Sequence, residues 1–400
     1  MNKKQKKNSF WKTCWLDIVV LTIFTLLISA NFNLSKFSPS ILYRSDPSDD
    51  SFTTDLFFRI SNSSEEIRIV PDITLIDIDS IKNRTELVML LSKVLDKKPR
   101  VIGFDVFFRE RTNSAEDSLL VEFMSKIKND GCFIFANDYS DDALPQVSHS
   151  FFLGREDSLS EGFVNFIFDK KYMNVRTFRT EKETNEGRQQ SLAYRMITSQ
   201  KQDGIIYKDS IYYIDYRLSS FQELSPDEIE DAQLEGQWVL IGSKSESHDV
   251  YNTPIGMMPG LRIHAYILKT LLSKTPIHPS SKTGDWIVLF IVCLLSSLAL
   301  VYTDYYVFQS HNKKLGFIIQ VGGFAFLLIF FQVLFLLLFA YILFEYCNVF
   351  FSMQSSLNSV LFVTAIVKTL YAVGMAYLGK KNKAKSLLGR FMYYSINIQS

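Results

Sequence analysis

The sequence predicts an α/β globular domain joined to four membrane-spanning helices. Three observations lead there. Composition changes abruptly along the 400 residues: 286–378 is overwhelmingly apolar, whereas 44–285 carries the ordinary charge of a soluble domain. Inside the charged part, buried-style strands alternate with helical periodicity. The basic clusters "MNKKQKK" (1–7), "HNKK" (311–314) and "GKKNKAK" (379–385) all fall on one side of a bilayer if the chain crosses it four times.

Residues 1–14 form a cytoplasmic N-terminus. "WLDIVVLTIFTLLISANF" (15–32) is the first span, with Asp17 at its start, close to the roughly 20 apolar residues a bilayer core requires. A cleaved signal peptide would share the basic start and the short apolar run. Ile28, however, stands where cleavage wants a small residue, so the segment reads as an uncleaved anchor.

The globular domain covers 44–280. "ITLIDID" (73–79) reads as a buried strand. "RTELVMLLSKVLDKK" (84–98) places Leu87, Leu90, Leu91, Val94 and Leu95 at helical spacing, and Pro99 stops it. "VIGFDVFF" (101–108) is a second strand, a helix over roughly 114–129 follows, and "CFIFAN" (132–137) is a third strand after Gly131. This order gives a parallel βαβ core, whose strands are buried on both faces and therefore greasy throughout. From 162 to 217 the style changes. "GFVNFIF", "YMNVRTF" and "IYYIDYRL" are short strands, with a helix over 188–199, and read as an antiparallel addition. "QWVLIGS" (237–243) returns to the buried-strand style. A long loop over 245–260, "SESHDVYNTPIGMMPG", and an amphipathic helix over 261–273 complete the domain.

Spans two to four are 286–308, 316–344 and 349–378, and a basic tail fills 379–400. Both termini are then cytoplasmic and 33–285 lies outside, giving a multi-pass protein of a bacterial inner membrane. Ser352, Ser355, Ser356 and Ser359 give small-xxx-small spacing in the last span. That suits close packing in the bundle or between protomers of a homo-oligomer, or simply a helix end in the interface. Lys368 snorkels to the cytoplasmic surface.

In open α/β sheets, ligands bind outside the carboxyl ends of the strands. Asp77, Asp79, Asp105 and Asp138 stand at such ends, Ser243 and Asp249 follow the "VLIG" strand, and His264 follows in the helix. The competing reading is that a strand-end Asp caps the next turn. His248-Asp249 could make a metal or acid–base site, but no paired ligand spacing accompanies it, so neither metal nor cofactor is expected. No phosphate-binding loop, zinc-protease or nucleophile-elbow motif occurs, and enzymatic activity is not expected. A net charge of +1 with no basic aromatic patch excludes nucleic acid as an expected partner. Cys14, Cys132, Cys293 and Cys347 lack metal spacing and read as unpaired thiols, with a Cys132–Cys347 bridge as the alternative. Lys313, Lys314, Lys380, Lys381, Lys383 and Lys385 suit contact with anionic lipid or with a cytoplasmic partner.

Several of these pieces together resemble the CHASE2 domain. They are "VIGFDVFF", the "VLIGS…HDVYNTPIGMMPGLRIHAYILKTLL" unit, "IDY" at 214–216, and "GFVNFIFDKKYMNVRTF" with Arg176 or Arg179 in its last place. The resemblance covers about 50–280, and one N-terminal and three C-terminal spans fit the same layout. It implies an extracytoplasmic sensor module of a bacterial transmembrane receptor, whose output in the same chain is a cyclase or a kinase. This sequence departs there, because only the basic stretch 379–400 follows the last span. Gly103, Asp105, Asp249 and His264 fall on family positions, but the resemblance supplies no ligand for them. The expectation is a receptor subunit that binds a small molecule, an ion or an envelope component and signals to a separately encoded cytoplasmic protein. The alternative is an envelope scaffold or an accessory subunit of a membrane complex.

Overall fold

The computed structural model describes residues 14–27, 51–63, 68–112, 114–127, 131–140, 144–153, 160–168, 174–200, 211–245, 249–273, 276–309 and 323–351, with a few isolated positions. The chain divides into two compact units, Thr54–His278 and the flanking segments Met1–Thr53 with Pro279–Ser400.

After α1 (Cys14–Leu27), the globular unit runs in order α2 (Ser51–Ser63), β1 (Arg68–Asp77), α3 (Arg84–Asp96), β2 (Val101–Asp105), α4 (Ala115–Ile127), β3 (Phe133–Tyr139), β4 (Val147–Ser148), β5 (Glu161–Phe163), β6 (Ile167–Phe168), β7 (Val175–Arg179), β8 (Glu181–Thr184), β9 (Gly187–Gln190), α5 (Leu192–Ser199), β10 (Ile211–Tyr213), β11 (Ser219–Leu224), β12 (Trp238–Gly242), β13 (Val250–Thr253), β14 (Gly256–Pro259) and α6 (Gly260–Leu272). Helix α3 starts where expected because Asn83 caps it, its side chain accepting from the Glu86 N–H at 2.9 Å.

The sheet has the order β11-β1-β12-β2-β3, with β5 parallel on β3 and β4 antiparallel on the end of β3. All pairings from β11 to β3 are parallel. Helices α3 and α4 cover one face, over a core that includes Ile76, Leu91, Ile102, Phe104, Phe133, Phe135 and Ile241. Helix α5 packs on β2, β3 and β5, and α6 packs on β1 and β12. A Cβ on Gly103 would come within 2.5 Å of Met196 Sδ in α5, so α5 and α6 take the opposite face. Strand β12 thus enters late in the chain between β1 and β2. Its connection leaves to the α6 face, whereas the chain from β1 and β2 leaves to the α3–α4 face. That reversal is a topological switch point, the place where open α/β sheets form a crevice.

Several expectations are corrected. β5 is a parallel strand of the main sheet, while β6, β7 and β10 form a separate three-stranded antiparallel sheet. The β8–β9 hairpin replaces the front of the expected 188–199 helix, which begins at Leu192. Gly187 has φ +91, a left-handed conformation that stops helical propagation and turns the hairpin. The edge strand β11 escaped notice, since "SSFQEL" alternates polar and apolar and lacks the greasy style of its neighbours. The 245–260 loop contains the β13–β14 hairpin.

In the flanking unit, α7 (Lys282–Gln309) and α8 (Gly323–Cys347) contain the stretches Thr283–Thr303 and Ile329–Cys347. Both are long and apolar enough to cross a membrane, with mean hydropathy 2.4 and 2.1. Helix α1 is apolar but shorter. Its Cys14, Ile18 and Leu21 pack against Leu289, Cys293, Leu300 and Val301 of α7, and Ser296 of α7 donates to Gln332 Oε1 of α8 at 3.3 Å. The segment assigned to a fourth span opens as a two-residue strand, Val349–Phe350, after Asn348 at φ 52. The left-handed Asn ends α8 and redirects the chain. Most of 349–378, with Lys368, lies outside the described residues, as do Lys313, Lys314, Lys380, Lys381, Lys383 and Lys385. Cys14, Cys132, Cys293 and Cys347 form no disulfide among the described residues.

Candidate functional site

Strand register assembles the site. Asp77 of β1 and Asp105 of β2 both pair with Gly242 of β12, so they flank one glycine on one face at the carboxyl edge of the sheet. Two groups of side chains diverge from that line.

The first group braces a loop. Asp79 lies past the end of β1 in a turn, its N–H held by Asp77 Oδ1 at 3.0 Å. Ser243 donates its hydroxyl to Asp79, and the Lys244 N–H reaches Asp79 Oδ2 at 3.0 Å. The Ser245 N–H reaches Ser243 Oγ at 3.1 Å. These three predicted site residues spend their polar atoms holding the chain that leaves β12, which is the capping role that competed with ligand binding in the sequence.

The second group is the candidate site. Asp105 is 14% exposed, and its Oδ2 lies 3.8 Å from Nε2 of His264, which is 5% exposed. Burial and then the charge of Asp249 push the Asp105 carboxyl up to about 7. Burial holds the His264 imidazole down to about 3. At 3.8 Å, with a ring that stays neutral, the two form a close polar contact and not an ion pair. Asp249 packs against the first turn of α6. Its backbone oxygen takes the Gly260 N–H at 2.9 Å, and a Cβ on Gly260 would sit 2.3 Å from Asp249 Oδ2. Glycine is therefore required at 260 for the carboxylate to come so close. Tyr251, in β13, bonds to Asp249 just before the strand, and burial followed by that bond raises its phenol. Phe166 closes the wall. It stacks on His264 with centroids 4.7 Å apart and meets Tyr251 edge-on at 4.9 Å. Asp138 stands at the rim, 3.9 Å from Arg109.

Asp105, Asp249 and His264 thus stand together. Tyr251 and Phe166 were missed. Closeness in sequence to Asp249 was a readable signal for the first, whereas nothing local places Phe166 over α6. His248 lies outside the described residues. No cluster with metal-ligand geometry occurs among the described residues.

Sequence reading also passed over His149. Its Nδ1 meets Glu161 Oε2 at 2.6 Å and its Nε2 meets Glu186 Oε2 at 2.9 Å. Those bonds, led by Glu161, raise the imidazole to about 9. A histidine raised from its ordinary value of about 6.5 stabilises the fold fully below that pH, and the contribution disappears as pH climbs through about 9. We expect the thermal midpoint of the full-length protein to fall across that window, and His149→Gln to remove a component of about 2 kcal/mol of the slope. Calorimetric or dye-monitored melts at pH 6 and pH 9 measure it; equal slopes in parent and variant would refute the clamp.

The CHASE2 domain family model matches residues 20–300, a longer stretch than the motifs alone suggested, running from α1 to most of α7. Searches of curated proteins and of solved structures found no match. CHASE2 is a sensory extracellular domain, and a carboxyl-edge site on a unit followed by two apolar helices of membrane-crossing length accords with that. With more than half of its length matched, this chain belongs to the CHASE2 domain family.

Proposed function

We propose that the protein is the sensing subunit of a membrane receptor. Its outer domain reads a signal at the Asp105–Asp249–His264 edge, four membrane spans carry the response, and a separately encoded cytoplasmic protein supplies the output. One observation carries this reading: Asp105, 14% exposed, stands beside the half-buried Asp249 and the buried His264 at a topological switch point, where a purely structural domain would gain by apolar packing. The sidedness of the three basic clusters supports four crossings and an outer location for the domain. The 311–314 loop and the 380–400 tail are the surfaces offered to the cytoplasmic partner. Any response requires the signal to favour one packing of the helices over another.

Purification of full-length protein from native membranes, beside a variant lacking 380–400, tests the assignment. A cytoplasmic protein retained by the first and lost from the second is expected. If both retain the same set, the tail is no docking element and the receptor reading fails. Retention of envelope proteins alone would favour a scaffold.

A further inference from the structure

The groups around Asp105 are arranged tightly. A Cβ on Gly242 would lie 3.0 Å from Leu261 and 3.2 Å from Asp105 Cβ, and one on Gly260 would collide with Asp249. Phe166 covers His264. His264 is buried, and its Nε2 lies 3.8 Å from Asp105 Oδ2. The charged groups facing Asp105 from neighbouring elements are Asp249 before β13, Asp77 across Gly242 on β1 and Asp138 on β3, with the Tyr251 phenol beside them. Of the nearby cations, Arg109 lies 3.9 Å from Asp138 at the rim of this group, and Lys244 and Arg262 reach Glu223. Among the described residues, no Lys or Arg pairs with Asp105 or Asp249.

Resting on the sensor reading above, we propose that the signal taken up at this edge is the proton. Asp105 binds it as a carboxylic acid beside Asp249 and releases it to the medium as a carboxylate, with His264 as an uncharged wall. A proton relieves the carboxylate repulsion and needs no cavity, which suits walls already in van der Waals contact. Helix α6 carries the change onward. Its first turn touches Asp249, and near its far end Lys269 Nζ holds the carbonyls of Asp215 (3.1 Å) and Arg217 (2.8 Å). The same 214–218 segment is gripped by Asn62 of α2, through the Leu218 N–H and the Tyr216 carbonyl.

The test is a pH-titrated difference infrared spectrum of the full-length protein in nanodiscs of phosphatidylethanolamine and phosphatidylglycerol. A protonated-carboxyl band with a near-neutral midpoint is expected. It should vanish in Asp105→Asn and move at least about one unit lower in Asp249→Asn, which removes the like charge. A band that titrates like an ordinary carboxylate, or survives Asp105→Asn, overturns the proposal. So does a midpoint displaced by calcium or ethylamine at fixed ionic strength, since a cation would then be the ligand. A near-neutral band in a protein whose tail-dependent partner retention ignores pH would keep the proton site and discard the sensing role.

Discussion

Asp105→Asn should be more stable than the parent, by a margin that grows with pH and levels off above about 7. The carboxyl is held near 7 by burial and by Asp249, against about 3.9 in an unfolded chain. Between those values the folded state binds the extra proton, so ionisation above them costs stability, on the order of 2–4 kcal/mol. His264 has the opposite linkage. Its folded value is near 3 against about 6.5 unfolded, so its burial destabilises the fold at low pH and that cost vanishes as pH rises. In the parent the two slopes oppose each other from about pH 4 to 6.5. In the variant only the His264 slope remains, and the thermal midpoint should climb with pH. For a unit of this size the gap at pH 7.5 amounts to roughly 5–10 °C. Melts of the full-length parent and variant at pH 5 and pH 7.5 measure it. A gap that is constant across pH would mean that Asp105 ionises freely in the folded protein.

The βαβ core was legible in the sequence because its signals are local. Leu87 through Leu95 repeat at helical spacing, Pro99 breaks them, and β1, β2, β3 and β12 are greasy because parallel strands are covered on both faces. The place of β12 between β1 and β2 was not legible, since no local pattern encodes which strands neighbour one another. That insertion creates the switch point and sets Gly242 between Asp77 and Asp105. The candidate site was therefore half visible. Strand-end carboxylates could be named, but only register separates Asp105, which faces Asp249 and His264, from Asp79, which lies beyond its strand and caps a turn. Short strands such as β5 carry too few residues to show a pairing direction. The second set of polar groups, His149 with Glu161 and Glu186, joins residues that no periodicity links.

The strongest destabilisation is expected from Asp215→Ala, outside the candidate site. Asp215 lies in the "IDY" segment and is 4% exposed. Its Oδ1 accepts from Arg217 Nε at 2.8 Å and from the Arg217 N–H at 3.1 Å. Its Oδ2 lies 3.5 Å from Lys269 Nζ, and its own N–H donates to Thr270 of α6 at 2.9 Å. Burial alone would raise this carboxyl, but Lys269 and Arg217 outweigh it, so its pKa sits below the ordinary value. Arg217 and Lys269 are each less than a tenth exposed. Removing the carboxylate takes a shared counter-charge from two buried cations, a situation that costs about 3–5 kcal/mol. In a unit of this size that is a drop of roughly 10 °C in apparent midpoint. Asp215→Asn keeps the shape and part of the hydrogen bonding but loses the charge, so it should recover only a minor part. Combining Asp215→Ala with Lys269→Met removes one stranded cation and should cost less than the sum of the two single changes. Strict additivity would show that Lys269 is held by the carbonyls of Asp215 and Arg217 and owes nothing to the carboxylate.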